Sequence, residues 1–202
     1  MNLVERAKNI IVSPKTEWDA VSAEEPNIQQ ILLGYVLPLA VIPALGALIG
    51  SLILMQFHFG FALATGIGMA VVYFLVLSFS ILLSAFILDA LAPSFSSEKH
   101  FGRSLQLVAY SITPAIILGI LNFIPILGLL ISLLGYAYGI YIMYLGLGPI
   151  KHTPEDKKVV YLIIYAFVTP VLFFILLMIL SLIIMGIVTA IFGFGMMGNF
   201  NY

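Results

Sequence analysis

Val159–Ile191 reads VVYLIIYAFVTPVLFFILLMILSLIIMGIVTAI, with no charged side chain and a single proline, Pro170. A helix crossing a hydrocarbon core about 30 Å thick needs about 20 apolar residues. Lipid offers no partner to backbone N–H and C=O groups, so a segment this apolar must satisfy them internally as a helix. The stretch predicts one long transmembrane helix over 158–191, bent at Pro170. Outward from it, two more runs lack charge: Pro26 to Leu88, and Ser104 to Ile150. The first is long enough for two spans, parted at Gln56-Phe57-His58-Phe59-Gly60. The second holds two more, parted at Asn122-Phe123-Ile124-Pro125. The fold class expected is all-α: a polytopic bundle of five transmembrane helices near 31–55, 61–91, 104–122, 125–148 and 158–191. Residues 1–30 form an N-terminal segment, 31–192 the bundle and 193–202 a short tail.

Composition agrees. Of 202 residues, 62% are hydrophobic and 8% charged, and mean hydropathy is +1.18. A soluble domain carries about 25% charged residues, so a cytosolic enzyme, a nucleic-acid binder and a disordered chain are excluded. The formal net charge of −1 provides no field for a polyanion. Cysteine is absent, which removes disulfides, thiolate metal sites and thiol nucleophiles.

Basic residues set the expected orientation. With five spans, Arg6, Lys8, Lys15, Lys99, Arg103, Lys151, Lys157 and Lys158 all fall on one side. The N-terminus is expected in the cytoplasm and the C-terminus outside. The opening residues lack the basic start and short apolar core of a signal peptide. Leu3, Ala7, Ile10 and Ile11 instead share one face of a helix, opposite Glu5, Lys8 and Asn9, the pattern of a helix lying in the interface. Ser13-Pro14 reads as the start of a second short helix, in which Trp18 would anchor at headgroup depth.

Asp89 is the one ionisable side chain that this reading embeds in an apolar helix. Intramembrane carboxylates are costly and mark ion or proton paths when they are not paired. Four residues before Pro93, Asp89 could instead reach interfacial water or pair with Lys99 or Arg103. Small residues recur at helix-packing spacing: Gly46 and Gly50, Ala64 and Gly68, Ala115 and Gly119, Gly135 and Gly139. Pro38, Pro43, Pro114 and Pro170 fall within helices, where each frees a carbonyl. Tyr136, Tyr138, Tyr141 and Tyr144 crowd the fourth helix. With Tyr110, Ser111, Thr113 and Asn122 they could line a polar seam between helices three and four. That seam reads either as interhelical hydrogen bonding or as a groove for a headgroup or ion. His58, His100 and His152 lie in loops without metal-ligand spacing, so no metal or other cofactor is expected. The chain has no HExxH, G-x-S-x-G or phosphate-binding loop, and no enzyme is expected.

Several ordered segments resemble the bacterial branch of the Yip1 family. They are Ala7-Lys-Asn-Ile-Ile-Val-Ser-Pro-Lys-Thr-Glu-Trp18, Phe101-Gly-Arg-Ser-Leu-Gln-Leu-Val-Ala-Tyr110-Ser-Ile-Thr-Pro114, Leu121-Asn-Phe-Ile-Pro125, Tyr144-Leu-Gly-Leu and the loop Thr153-Pro154-Glu155-Asp156-Lys157. The resemblance implies a five-span protein of a bacterial or archaeal inner membrane, acting as a scaffold or adaptor. Eukaryotic relatives associate with Rab GTPases and with one another, and they carry a long cytosolic N-terminal region that includes an Asp-Leu-Tyr-Gly-Pro signature. Neither feature is present, so Rab binding is not carried over. The partners expected are the bilayer, a second copy of the chain or another membrane protein, and no nucleic acid. A small transporter, channel or lipid-moving protein with Asp89 on its pathway is the alternative.

Overall fold

The computed structural model describes residues 2–54 and 59–198, with side chains placed through 191 except at 125. Two short helices open the chain: α1 (Leu3–Val12) and α2 (Pro14–Ser22). Asn2 caps α1 by accepting the Val4 and Glu5 N–H groups, and Pro14 starts α2 at a position whose N–H would be unpaired anyway. Six more helices follow: α3 (Ile28–Leu54), α4 (Phe59–Leu91), α5 (Phe101–Ser111), α6 (Thr113–Leu118), α7 (Pro125–Lys151) and α8 (Glu155–Gly198). A 3₁₀ turn extends α4 through Phe95, and another extends α6 through Phe123. No strand occurs among the described residues.

Four of these units are long and apolar enough to cross a membrane: Ile28–Leu54, Phe59–Phe95, Ile126–Lys151 and Glu155–Ile191. The third expected span is not a single helix. It is the pair Phe101–Ser111 and Thr113–Phe123, bent by 42°, so the described residues hold four helices long and apolar enough to cross a membrane, or five if the pair counts as one span. Pro114 causes the break: it offers no N–H, and its ring collides with the carbonyl four residues back. Pro38 acts differently. The turn before it widens to π geometry over Leu32–Val36, and the Leu37 N–H reaches back to the Leu32 carbonyl; such bulges relieve a proline's clash. Pro170 does not interrupt α8, which continues to Gly198 and so past the expected start of the tail at 193. Of the break expected at Gln56-Phe57-His58-Phe59-Gly60, Phe59 and Gly60 belong to the first turn of α4; Gln56-Phe57-His58 and the end of the tail, Asn199–Tyr202, lie outside the described residues.

The stacking order explains how polar residues fit in a bundle this apolar. α5 sits at the centre, where Ser104 through Ser111 are buried without exception. It is enclosed by α4 and α7, and by α1 and α3. A helix bearing Gln106, Ser104 and Ser111 would be costly against lipid; inside the bundle Ser104 pairs with Asp89 and Lys151, and Gln106 with Arg103. α8 is the opposite case. It leans mainly on α4, and its apolar side chains are mostly exposed, as suits a helix against hydrocarbon.

The N-terminal helices differ from the surface position expected of them. Ile10, Trp18 and Val21 are completely buried, and the Trp18 indole donates to the Ile142 carbonyl at 2.9 Å. Trp18 is therefore a core residue and not a headgroup anchor. It fits because residue 146 is glycine: a Cβ there would stand 2.6 Å from the indole. Three of the four small-residue pairs mark two close helix contacts. At Gly46 a Cβ would lie 2.7 Å from the Ile120 carbonyl, and at Gly119 it would lie 2.9 Å from Pro43. Gly50 faces Phe123 in the same α3–α6 contact. Between α6 and α7, Gly135 packs on Ala115, and a Cβ at Gly139 would stand 2.7 Å from the Ser111 carbonyl.

Candidate functional site

α4 carries Asp89 one turn from its end, where the apolar run stops and Pro93 turns the chain. Its partner is Lys151, the last residue of α7, and neither Lys99 nor Arg103 as the sequence suggested. The Lys151 ammonium donates to the Asp89 carboxylate at 3.0 Å and to the Ser104 hydroxyl at 2.6 Å. Ser104 in turn donates to the same Asp89 oxygen at 2.9 Å, and the His100 backbone adds a further hydrogen bond to the carboxylate. Lys151 and Ser104 are fully buried, and Asp89 is 8% exposed. Three helices thus meet in a closed triangle of one anion, one cation and one hydroxyl. An unpaired charge at such burial would be strongly destabilising. The fourth span expected from the sequence, near 125–148, leaves Lys151 outside it, whereas the helix ends on Lys151. The clue available was that it directly continues the apolar run ending at Ile150, on the same side as Asp89.

Two loops lock over this triangle. The Lys151 carbonyl accepts the Glu98 N–H at 2.7 Å and the Ser97 hydroxyl at 3.1 Å. Ser97 also meets the Thr153 hydroxyl at 2.8 Å. His152 takes a left-handed conformation, φ 50°, uncommon without a glycine, and its ring lies 2.8 Å from the Glu98 carboxylate. Of the loop Thr153-Pro154-Glu155-Asp156, Thr153 is thus a buried link. Glu155 and Asp156 begin α8, where acidic groups suit the helix dipole, and Glu155 pairs with Lys158 at 2.6 Å. Below, the Tyr161 hydroxyl donates to the Leu88 carbonyl, and its ring stacks on Phe95. The α4–α5 and α7–α8 connections therefore form one body.

A second polar cluster pins the N-terminal helices. Arg6 is buried, pairs with Glu17 at 2.6 Å and with Glu24, and lies over the Tyr110 ring at 5.5 Å. Arg103 caps the end of the same segment through the carbonyls of Val21 and Glu24, at 3.2 and 2.8 Å.

The residues expected to line one seam between the third and fourth spans are not gathered into one; of Thr113, Asn122 and Tyr138, Asn122 alone bonds across those two spans, to Ser132. The members go to separate places. Thr113 meets Tyr35 of α3 at 2.7 Å. Asn122 accepts from Ser132 at 3.0 Å. Tyr138 and Tyr141 are partly exposed and stack on each other, and the Tyr138 hydroxyl donates to the Ile11 carbonyl of α1 at 2.7 Å. His100 caps α5 by accepting the Arg103 N–H. Among the described residues no group of three or more His, Cys, Asp or Glu side chains could hold a metal ion.

The Yip1 domain matches residues 8–178 of this sequence, nearly its whole length. The chain belongs to the Yip1 family. Comparisons with curated proteins and with solved structures return no match. The Yip1 match takes in the ion-pair triangle, both interlocked loops and most of the N-terminal helices. With its long apolar helices, the chain is a multi-pass integral membrane protein.

Proposed function

We propose that this Yip1-family protein is a non-catalytic scaffold that works by associating, through its membrane helices, with a second copy or another membrane protein. The observation that carries this reading is the state of Asp89. A carboxylate on an ion path must be free to change partners, whereas this one is held by Lys151, Ser104 and the His100 backbone. Two other polar candidates are likewise engaged between helices: Thr113 with Tyr35, and Tyr138 with Ile11. Polar groups paired between helices and a long, exposed α8 are what a scaffold needs. The expected arrangement has the basic loops in the cytoplasm of a bacterial or archaeal cell.

Flux measurements in proteoliposomes test the reading against the transport alternative. Wild type and Asp89→Asn would be compared at matched reconstitution, with ion-sensitive dyes and a lipid-quenching assay. A scaffold gives no protein-dependent flux in either sample. Flux in wild type that disappears with Asp89 while the fold persists would reverse the conclusion.

A further inference from the structure

Away from the ion-pair triangle, a cavity of about 570 Å³ lies among α4, α6, α7 and α8. Small-molecule sites run from about 300 to 1,000 Å³. Along α8 its wall extends from Tyr165 to Leu177, a length of about 18 Å at 1.5 Å per residue. Half of a 30 Å hydrocarbon core is about 15 Å, so the slot is as long as one leaflet is deep.

Its walls are mostly apolar, with polar side chains such as Ser80, Asn122 and Ser132 set among them. It opens sideways: Leu129 and Leu133 of α7 and Phe174 of α8 line it and are also 51%, 52% and 54% exposed on the outer surface. In a bilayer that outer surface faces lipid tails. The end away from the triangle carries the Asn122–Ser132 pair. Ser132 occupies the Asn122 carbonyl oxygen and leaves its amide N–H groups for an outside acceptor. Deeper in, the wall includes the Ser80 hydroxyl, 8% exposed and without a hydrogen-bond partner.

We infer that this cavity holds one acyl chain of a membrane phospholipid. The chain enters between α7 and α8 from the leaflet nearest Asn122, with its ester carbonyl at the Asn122 amide and its tail toward Ser80. The site is separate from Asp89, and it stands whether or not the scaffold reading does.

Photo-crosslinking of the full chain tests it. Purified protein in phosphatidylethanolamine and phosphatidylglycerol vesicles is doped with a phospholipid carrying a mid-chain diazirine, irradiated and mapped by mass spectrometry. Adducts on the wall residues Ile116 and Thr169, which are 3% and 6% exposed, should exceed those on Phe167 and Met178, which face outward at the same level. In Ser80→Phe, which fills the slot, wall adducts should fall at least threefold while outward adducts persist. Leu133→Trp, at the half-exposed mouth, should give the same loss if Ser80→Phe fails to fold. Wall labelling no greater than outward labelling, or unchanged in the folded blocking variant, overturns the proposal.

Discussion

Removing either member of the buried ion pair should destabilise the protein far more than removing both. At 3.0 Å and an effective dielectric of about 20, the attraction is about 5.5 kcal/mol. Most of this offsets the desolvation of two enclosed charges. Taking one partner away leaves the other uncompensated, at a cost of about 3–5 kcal/mol. In Asp89→Asn the new amide can still accept from Ser104, but the Lys151 ammonium, fully buried, has no counter-charge. In Lys151→Met the carboxylate keeps Ser104, the His100 backbone and its slightly exposed edge, so this loss should be the smaller one. At about 2–4 °C per kcal/mol for a chain of this size, each single variant should unfold roughly 6–20 °C below wild type. The double variant Asp89→Asn/Lys151→Met carries no stranded charge and should recover most of the difference, with a coupling of about 2 kcal/mol or more. Thermal unfolding in detergent, followed by circular dichroism on all four proteins, measures the cycle. If the two single losses simply add in the double, with coupling below about 0.5 kcal/mol, the claim that Asp89 and Lys151 neutralise each other is wrong.

Other outcomes follow from the packing. Gly139→Ala places a methyl against the Ser111 carbonyl, 2.7 Å away on a backbone that cannot yield, and should cost about 1–3 kcal/mol; Gly186→Ala, which meets nothing within 4 Å, is the control in the same melts. Trp18 is the single tryptophan and is buried, so its fluorescence should resist acrylamide quenching. Arg6→Ala unties α1 from Glu17 and Glu24, and should make Trp18 quenchable while far-ultraviolet dichroism changes little; unchanged quenching would mean that Arg6 does not hold the segment in place. Tyr35→Phe removes the buried bond to Thr113 and should cost about 0.5–1.5 kcal/mol, less than Asp89→Asn in the same assay.

The sequence by itself determined that this chain crosses membranes, and roughly where. Span length is set by a hydrocarbon core of about 30 Å, and the distance between charges can be read along the chain, so Val159–Ile191 and its neighbours were legible at once. Close helix contacts were legible for a related reason: Gly46, Gly119, Gly135 and Gly139 are where backbones touch, because nothing larger fits. Only the tertiary structure decided the partners. Lys151 lies 62 positions from Asp89, and Lys99 and Arg103 lie nearer in sequence, yet α7 delivers its last residue to the carboxylate while Arg103 turns to the carbonyls of Val21 and Glu24. Burial of Trp18 depends on the gap left at Gly146, which no local pattern announces. The amphipathic faces of α1 and α2 would suit a membrane surface or a protein groove equally well. Periodicity shows that a face is apolar, but what covers it is set by distant helices.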